Sequence, residues 1–248
     1  MVKGSPLLAA SFAAMALALA ALFVLAVRRT APEPRRGRDT LLAAAGIGAW
    51  LALVGGAAAA GRLTFDGRPP TMMVLVAATV VLAVALGGSR VGGRIAAGVP
   101  LAALVGAQAF RLPLELMMHR AYTEGLMPVQ MSYSGRNFDI VTGATALVVA
   151  ALLAAGRMPR WGVAAWNVVG TLLLLNIMAV AVLSTPTPLR VFAGEPANVW
   201  IAAFPWVYLP AVMVPAALVG HILVFRRLRH ERAAAASTPA CERNVVLA

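Results

Sequence analysis

The chain has 248 residues, of which 61% are hydrophobic and 12% charged; its 21 basic and 9 acidic side chains leave a net charge of +12. Soluble domains carry about 25% charged residues, so this composition excludes an ordinary soluble fold and points to an integral membrane protein. The basic residues are nearly all arginine and fall in short connections between apolar runs, a pattern of anchoring at a membrane face rather than of nucleic-acid binding.

A helix needs about 20 apolar residues to cross the hydrocarbon core. Seven runs meet or approach that length: residues 6–27, 40–60, 71–87, 95–122, 138–155, 162–183 and 202–225. Barrel strands would be shorter and would alternate polar with apolar residues. The expected fold is an all-α, polytopic bundle of seven transmembrane helices over residues 1–232, followed by a disordered cytoplasmic tail over 233–248. The first run exceeds the apolar core of a signal peptide and is stopped by Arg28 and Arg29, so it reads as a retained span. The second carries Gly48, Ala52 and Gly56 at four-residue spacing, a face suited to close helix contact. Trp161 and Trp206 fall near expected interfaces, where indole rings are favoured.

The basic residues divide unequally between the two sides. Connections on the N-terminal side hold Lys3, Arg62, Arg68, Arg120, Arg136 and Arg190, six in all, whereas the opposite side holds fourteen. The positive-inside rule then puts the N-terminus out and the C-terminus in. The single cysteine, Cys241, excludes an internal disulfide and any C-x-x-C motif.

The fourth run contains "QAFRLPLELMMHR", residues 108–120. At 100° per residue, Gln108, Arg111, Glu115 and His119 share one face, a stripe roughly 16–20 Å long. An unpaired charge at the bilayer centre costs about 2.5–3.5 kcal/mol on insertion scales, so the stripe should face protein or water. Arg111 and Glu115 are four apart and can pair along the helix. Pro113 between them lacks an N–H, which should bend the helix and free the carbonyl of Ala109. Intramembrane ionisable groups of this kind suggest a site for a ligand, an ion or a proton. A buried pair that only locks helix register is the other reading.

Beyond the stripe, Gly125 and Pro128 break the helix. Asn137 is placed as the N-cap of the fifth span, with Asp139 in its first turn. Asp139 is also deep enough to face Arg111 or His119. Asn176 and Tyr208 belong at similar depth. Pro205, Pro210 and Pro215 recur every five residues and should make the last span irregular. The proline-rich stretch 184–200 is expected to cover the outer mouth of the bundle.

Several chemistries are argued against. Glu115 and His119 could share a metal, but a zinc site needs three or four ligands. His221 is placed near the inner end of the last span and His230 beyond it, about a membrane thickness from His119. Retinal chemistry needs a lysine late in the chain, and Lys3 is the only one. No hydrolase, metalloprotease or phosphate-loop motif is present. No cofactor and no metal is therefore expected. The expected function is an outward-facing polar intramembrane site lined by Gln108, Arg111, Glu115, His119, Asn137 and Asp139 that binds, transports or senses a small polar solute or ion. The expected partners are the lipid bilayer and that solute, with no nucleic acid. Two alternatives stand beside it: a structural or assembly subunit whose stripe meets a partner membrane subunit, and an intramembrane enzyme with Glu115 or His119 as general base. The alanine- and arginine-rich, lysine-poor composition suggests GC-rich coding and a bacterial inner membrane.

Overall fold

Ser5 and Pro6 open the first helix. The Ser5 hydroxyl accepts a hydrogen bond from the Leu8 amide at 3.4 Å, and proline is suited to a first helical turn, where its missing N–H costs nothing. The computed structural model describes residues 4–237. Helix α1 spans Pro6–Thr30, α2 Arg36–Ala59, α3 Thr71–Gly88, α4 Arg90–Gly98 and α5 Leu101–Gly106. A 3-10 turn over Ala107–Phe110 leads into α6, Arg111–Thr123. Helices α7 (Ile140–Ala154) and α8 (Arg160–Leu183) follow, then a π-helical turn over Leu209–Met213 that opens into α9, Val214–Ser237.

Among the described residues, six helical stretches are long and apolar enough to cross a membrane: Pro6–Thr30, Glu33–Ala59, Thr71–Gly88, Leu101–Thr123, Arg160–Leu183 and Leu209–Ala234. The expected span over 138–155 corresponds to α7, which has 15 residues. At 1.5 Å per residue it reaches about 22 Å, short of the roughly 30 Å hydrocarbon core. The chain ahead of it is irregular but buried. Met127, Met131, Ser132, Asn137 and Asp139 are buried although they precede the helix. The loop satisfies its own backbone, with Gly135 N donating to Ser132 O at 2.9 Å and Arg136 N to Gln130 O at 3.1 Å. Irregular chain is tolerated at such depth only where protein encloses it. Gly135 makes the fold possible, because a Cβ there would collide with the Val129 carbonyl.

Two other expected spans shift. Pro100 divides the fourth run, so α4 is a separate helix carrying Arg90 and Arg94, and the crossing starts at Leu101. The irregularity expected around Pro113 takes the form of the 3-10 turn one turn earlier, a tightening that proline commonly imposes upstream. The last run begins at 202, but its prolines hold 203–207 out of regular helix, so the long helical stretch starts at Leu209. Helix α9 runs to Ser237, five residues past the expected boundary at 232. The rest of that tail, with Cys241, and Lys3 at the other end lie outside the described residues.

The buried apolar side chains form two clusters. The fourth crossing, α8 and α9 each contribute to both, and the polar residue of each falls between them. On the fourth crossing, Leu104 and Val105 belong to one cluster and Leu114 and Met118 to the other, with Arg111 between. On α9, Ala217 and Leu223 flank His221 in the same way. A polar layer is thus sealed above and below by hydrocarbon. Trp206 is part of the larger cluster, buried and edge-on to Phe12 at 5.2 Å, with its ring beside Gly4 just ahead of α1. The Gly48–Ala52–Gly56 face of α2 is exposed and packs against nothing among the described residues. The helix instead uses Gly55, where a side chain would strike the Tyr208 hydroxyl.

Arginines tie one end of the bundle together. Arg94 meets Asp39 at 2.9 Å, Arg226 donates to Gly87 O at 2.6 Å, Arg227 to Ala97 O at 2.5 Å, and Arg160 reaches Glu231 at 2.5 Å. At the opposite end, Ser5 before α1 bonds Glu124 after α6.

Candidate functional site

Arg111 is the hub of the polar layer and is 1% exposed. Its Nε donates to Asp139 Oδ2 at 2.6 Å, and its Nη2 donates to Asp139 Oδ1, a bidentate fork. Its Nη1 lies 2.7 Å from His221 Nε2. A guanidinium can only donate, so Nε2 accepts and the imidazole is neutral with its proton on Nδ1. That proton is donated to Asn167 Oδ1 at 2.8 Å, and Asn167 Nδ2 donates to the His221 carbonyl at 3.1 Å. The orientation of every group in the chain follows from the donors that arginine imposes. The network joins α6, the start of α7, α9 and α8.

Close backbone approach makes these contacts possible. A Cβ on Gly143 would collide with the amide of Leu112, so only glycine lets α7 lie against α6. A Cβ on Gly170 would fall 2.7 Å from His221 Cε1, so glycine there leaves room for the imidazole.

Glu115, one turn after Arg111, is 2% exposed. Its Oε2 accepts from Asn137 Nδ2 at 2.6 Å, its one hydrogen bond among the described residues. Asn137 also donates to Met131 O at 3.0 Å and accepts from the Asp139 amide at 3.0 Å. Loop residue Asn137 therefore positions both carboxylates, and it is not the N-cap of α7. The residue at that position is Asp139, whose side chain turns to Arg111 instead of capping.

A cavity of about 100 Å³ borders this layer, with Arg111, Glu115 and Asp139 on its wall among mostly apolar side chains. The proline-rich 184–200 loop adds Thr185 and Asn198 to it. Asn198 is fully buried. Its Nδ2 donates to Ala181 O at 2.9 Å, which fixes the amide and leaves Oδ1 without a hydrogen-bond partner among the described residues.

The six expected site residues thus separate into three groups. Arg111, Asp139, Glu115 and Asn137 come together. Gln108 does not join them: its Nε2 donates to Ala217 O at 3.1 Å, and it lines a second cavity of about 390 Å³. His119 lies at the bundle's end, half-buried, stacked on Tyr133 at 4.3 Å and 3.2 Å from the Ser134 hydroxyl. The expected pairing of Arg111 with Glu115 along the helix is replaced by the pairing with Asp139, which offers both carboxylate oxygens to the planar fork.

His221, Asn167 and Asn198 were missed. His221 is not near the inner end of the last span but at mid-helix, because α9 starts later than its apolar run. It lies against Arg111, only eight residues before His119, or about 12 Å along a helix. The prolines before α9 carried that signal. Asn167 and Asn198 gave none beyond being single amides in apolar or proline-rich surroundings. Asn176 and Tyr208 serve elsewhere, donating to Arg136 O at 2.8 Å and to Leu51 O at 3.2 Å.

No curated protein and no solved structure shows significant similarity to the chain. Residues 68–229 match the model of a family described as a domain of unknown function, DUF8737. The match covers more than half of the chain and includes the whole Arg111 network, Glu115 and Asn198, and the chain belongs to that family.

Proposed function

We propose that this is a seven-span membrane protein whose small cavity takes a proton, a small cation or a cationic solute at Glu115, so that the chain binds, transports or senses that species. One observation carries the reading. The cavity wall presents a buried carboxylate and a buried amide oxygen, Glu115 and Asn198 Oδ1, without a cation of their own. The layer holds two carboxylates and one guanidinium, and Asp139 already occupies that guanidinium through both oxygens. A buried charge without a counter-charge is costly, so the surplus at Glu115 calls for a proton or a bound cation. The small cavity favours an ion or a very small solute over drug-sized ligands, which fill about 300–1,000 Å³.

The membrane topology belongs to the same proposal. Helix α7, lengthened by the buried chain before it, makes the seventh crossing. The end that gathers Arg94, Arg160, Arg226 and Arg227 is the inner one, by the positive-inside rule. The lysine-poor composition supports a bacterial inner membrane as the setting. A second reading, a structural or assembly role, is favoured by the Arg111 network itself, whose donors and acceptors match one another across four helices.

Infrared titration of the purified protein in lipid tests the first reading. The wild type should show a protonated-carboxyl band that responds to pH or to added monovalent cations. Glu115→Gln should remove it while the protein remains folded at normal levels. Identical spectra from the two proteins would refute the assignment.

A further inference from the structure

The second cavity differs from the Glu115 site in its walls and in its opening. It is enclosed mainly by apolar side chains of α1, α3, α5 and α9. Three of its large apolar lining residues are exposed: Leu22 and Leu25 on α1, at 46% and 40%, and Leu82 on α3, at 51%. Its mouth therefore opens on the apolar flank of span-length helices, a surface that hydrocarbon covers and water does not. A ligand from the bilayer reaches it directly.

Its buried wall carries Gln108, 1% exposed. The donation from Nε2 to Ala217 O fixes the side-chain amide, because a carbonyl can only accept. The amide lies over Gly220, where any Cβ would collide with Nε2. Oε1 is then the remaining polar atom, and it is buried with no hydrogen-bond partner among the described residues. An acceptor left bare in an apolar cavity is costly to the fold and useful to a ligand that brings a donor. Trp50, which lines the same cavity, has its indole N–H committed to Ala211 O at 3.0 Å. The nearby Thr79 hydroxyl donates back to Val76 O at 2.8 Å.

We propose that this cavity binds a lipid-borne alcohol, with its hydrocarbon part against the apolar walls and its hydroxyl donating to Gln108 Oε1. The chemistry narrows the class. The free atom is an acceptor, so lipids that offer only ester or quinone oxygens do not satisfy it. One neutral acceptor is too little to offset the desolvation of an ammonium group. A volume of about 390 Å³ falls within the range of small-molecule sites. Phe110 and Thr79 line both cavities and stand between this site and Glu115, so the two can be disabled separately.

The test uses Trp50, which lines the cavity, as the reporter. The full chain in detergent is titrated with a brominated long-chain alcohol and with a brominated alkane of equal length. Trp50→Phe identifies the part of the quenching that comes from the cavity. The alcohol should quench Trp50 at concentrations about five- to tenfold lower than the alkane, the effect of one net hydrogen bond. Gln108→Leu should remove that preference while the alkane still quenches, which also shows that the variant is folded. Ala83→Phe, which fills the cavity, should weaken both probes, and Glu115→Gln should change neither. Equal quenching of wild type by the two probes would overturn the proposal. So would a brominated fatty acid that outcompetes the alcohol in a manner dependent on Arg29, the basic residue on the cavity wall.

Discussion

Arg111 and Glu115 stand one turn apart on α6, both almost fully buried, yet their surroundings differ in kind. Arg111 is met on all sides, by a carboxylate that fills the fork and by an imidazole whose tautomer is fixed by Asn167. Glu115 has one amide donor and a cavity. Burial alone does not separate scaffold from site. What separates them is whether the charge and the hydrogen bonds close within the protein. A closed network holds helices in register, and an open one has capacity left for something that comes and goes.

The sharpest way to break this contrast is to open the closed half. Asp139→Ala leaves Arg111 buried without its counter-charge, a change that costs about 3–5 kcal/mol. The variant should be depleted in membranes and, in detergent, unfold at a much lower temperature than wild type. Replacing both members, Arg111→Leu with Asp139→Leu, should recover most of the loss, since a well-packed apolar pair often substitutes for a buried ion pair. A single Asp139→Ala variant as stable as wild type would show that the network does not hold the bundle.

A smaller effect is expected one link further out. Asn167→Leu removes the acceptor of the His221 Nδ1 proton and the donor to the His221 carbonyl, leaving buried polar groups unmatched at a cost of about 1–3 kcal/mol. Thermal unfolding should register it. Full stability in this variant would mean that α8 is tied to the layer by packing alone.

Glu115→Gln should behave oppositely. The Gln oxygen still accepts from Asn137, and the surplus charge disappears, so stability should hold or rise within about 1 kcal/mol. The same unfolding assay checks this. A loss comparable to that of Asp139→Ala would place Glu115 in the scaffold and erase the distinction.

How far these roles were legible in the sequence depends on what each contact is made from. Runs of hydrophobic residues are local, and they showed the helical membrane class directly. Gln108, Arg111 and Glu115 were conspicuous because charge and amide are rare in such runs. Asp139 was legible as a partner of Arg111 from its depth, but His221 was not, because its depth was read from the end of an apolar run. Pro205 and Pro210 delay the last helix, which moves His221 from the inner edge to the middle of the bundle. In the 124–139 loop only Asn137 and Asp139 were legible as site residues; Met127, Met131 and Ser132 gave no sign of burial. The loop's burial depends on Gly135 and Gly143 admitting backbone against backbone, a requirement visible only once α6 and α7 are placed together. The cavities were beyond reach for the same reason: Trp50, Thr79, Gln108 and Val219 meet only in the folded chain.

The smallest expected effect lies outside the membrane layer, at a third carboxylate that extends the comparison. Glu124 follows the fourth crossing and receives the Ser5 amide and hydroxyl, both at 2.7 Å, and Arg120 Nε at 2.7 Å. Like Asp139 it is a matched carboxylate, but water reaches it and screens it, so its contribution is modest. The Ser5 backbone amide first, then the Ser5 hydroxyl, then Arg120 hold it below the usual carboxylate range. A depressed carboxyl contributes its stability above the unfolded-state value of about 4.3 and loses it as pH falls through the lower folded-state value. Acidification should therefore loosen the start of α1, seen as faster amide exchange in its first turn, before the Arg111 layer responds. Glu124→Gln should remove that pH dependence and show the looser first turn already at neutral pH. If wild type and Glu124→Gln exchange alike at every pH, the Ser5–Glu124 contact does not anchor α1, and matching of hydrogen bonds matters only where water is excluded.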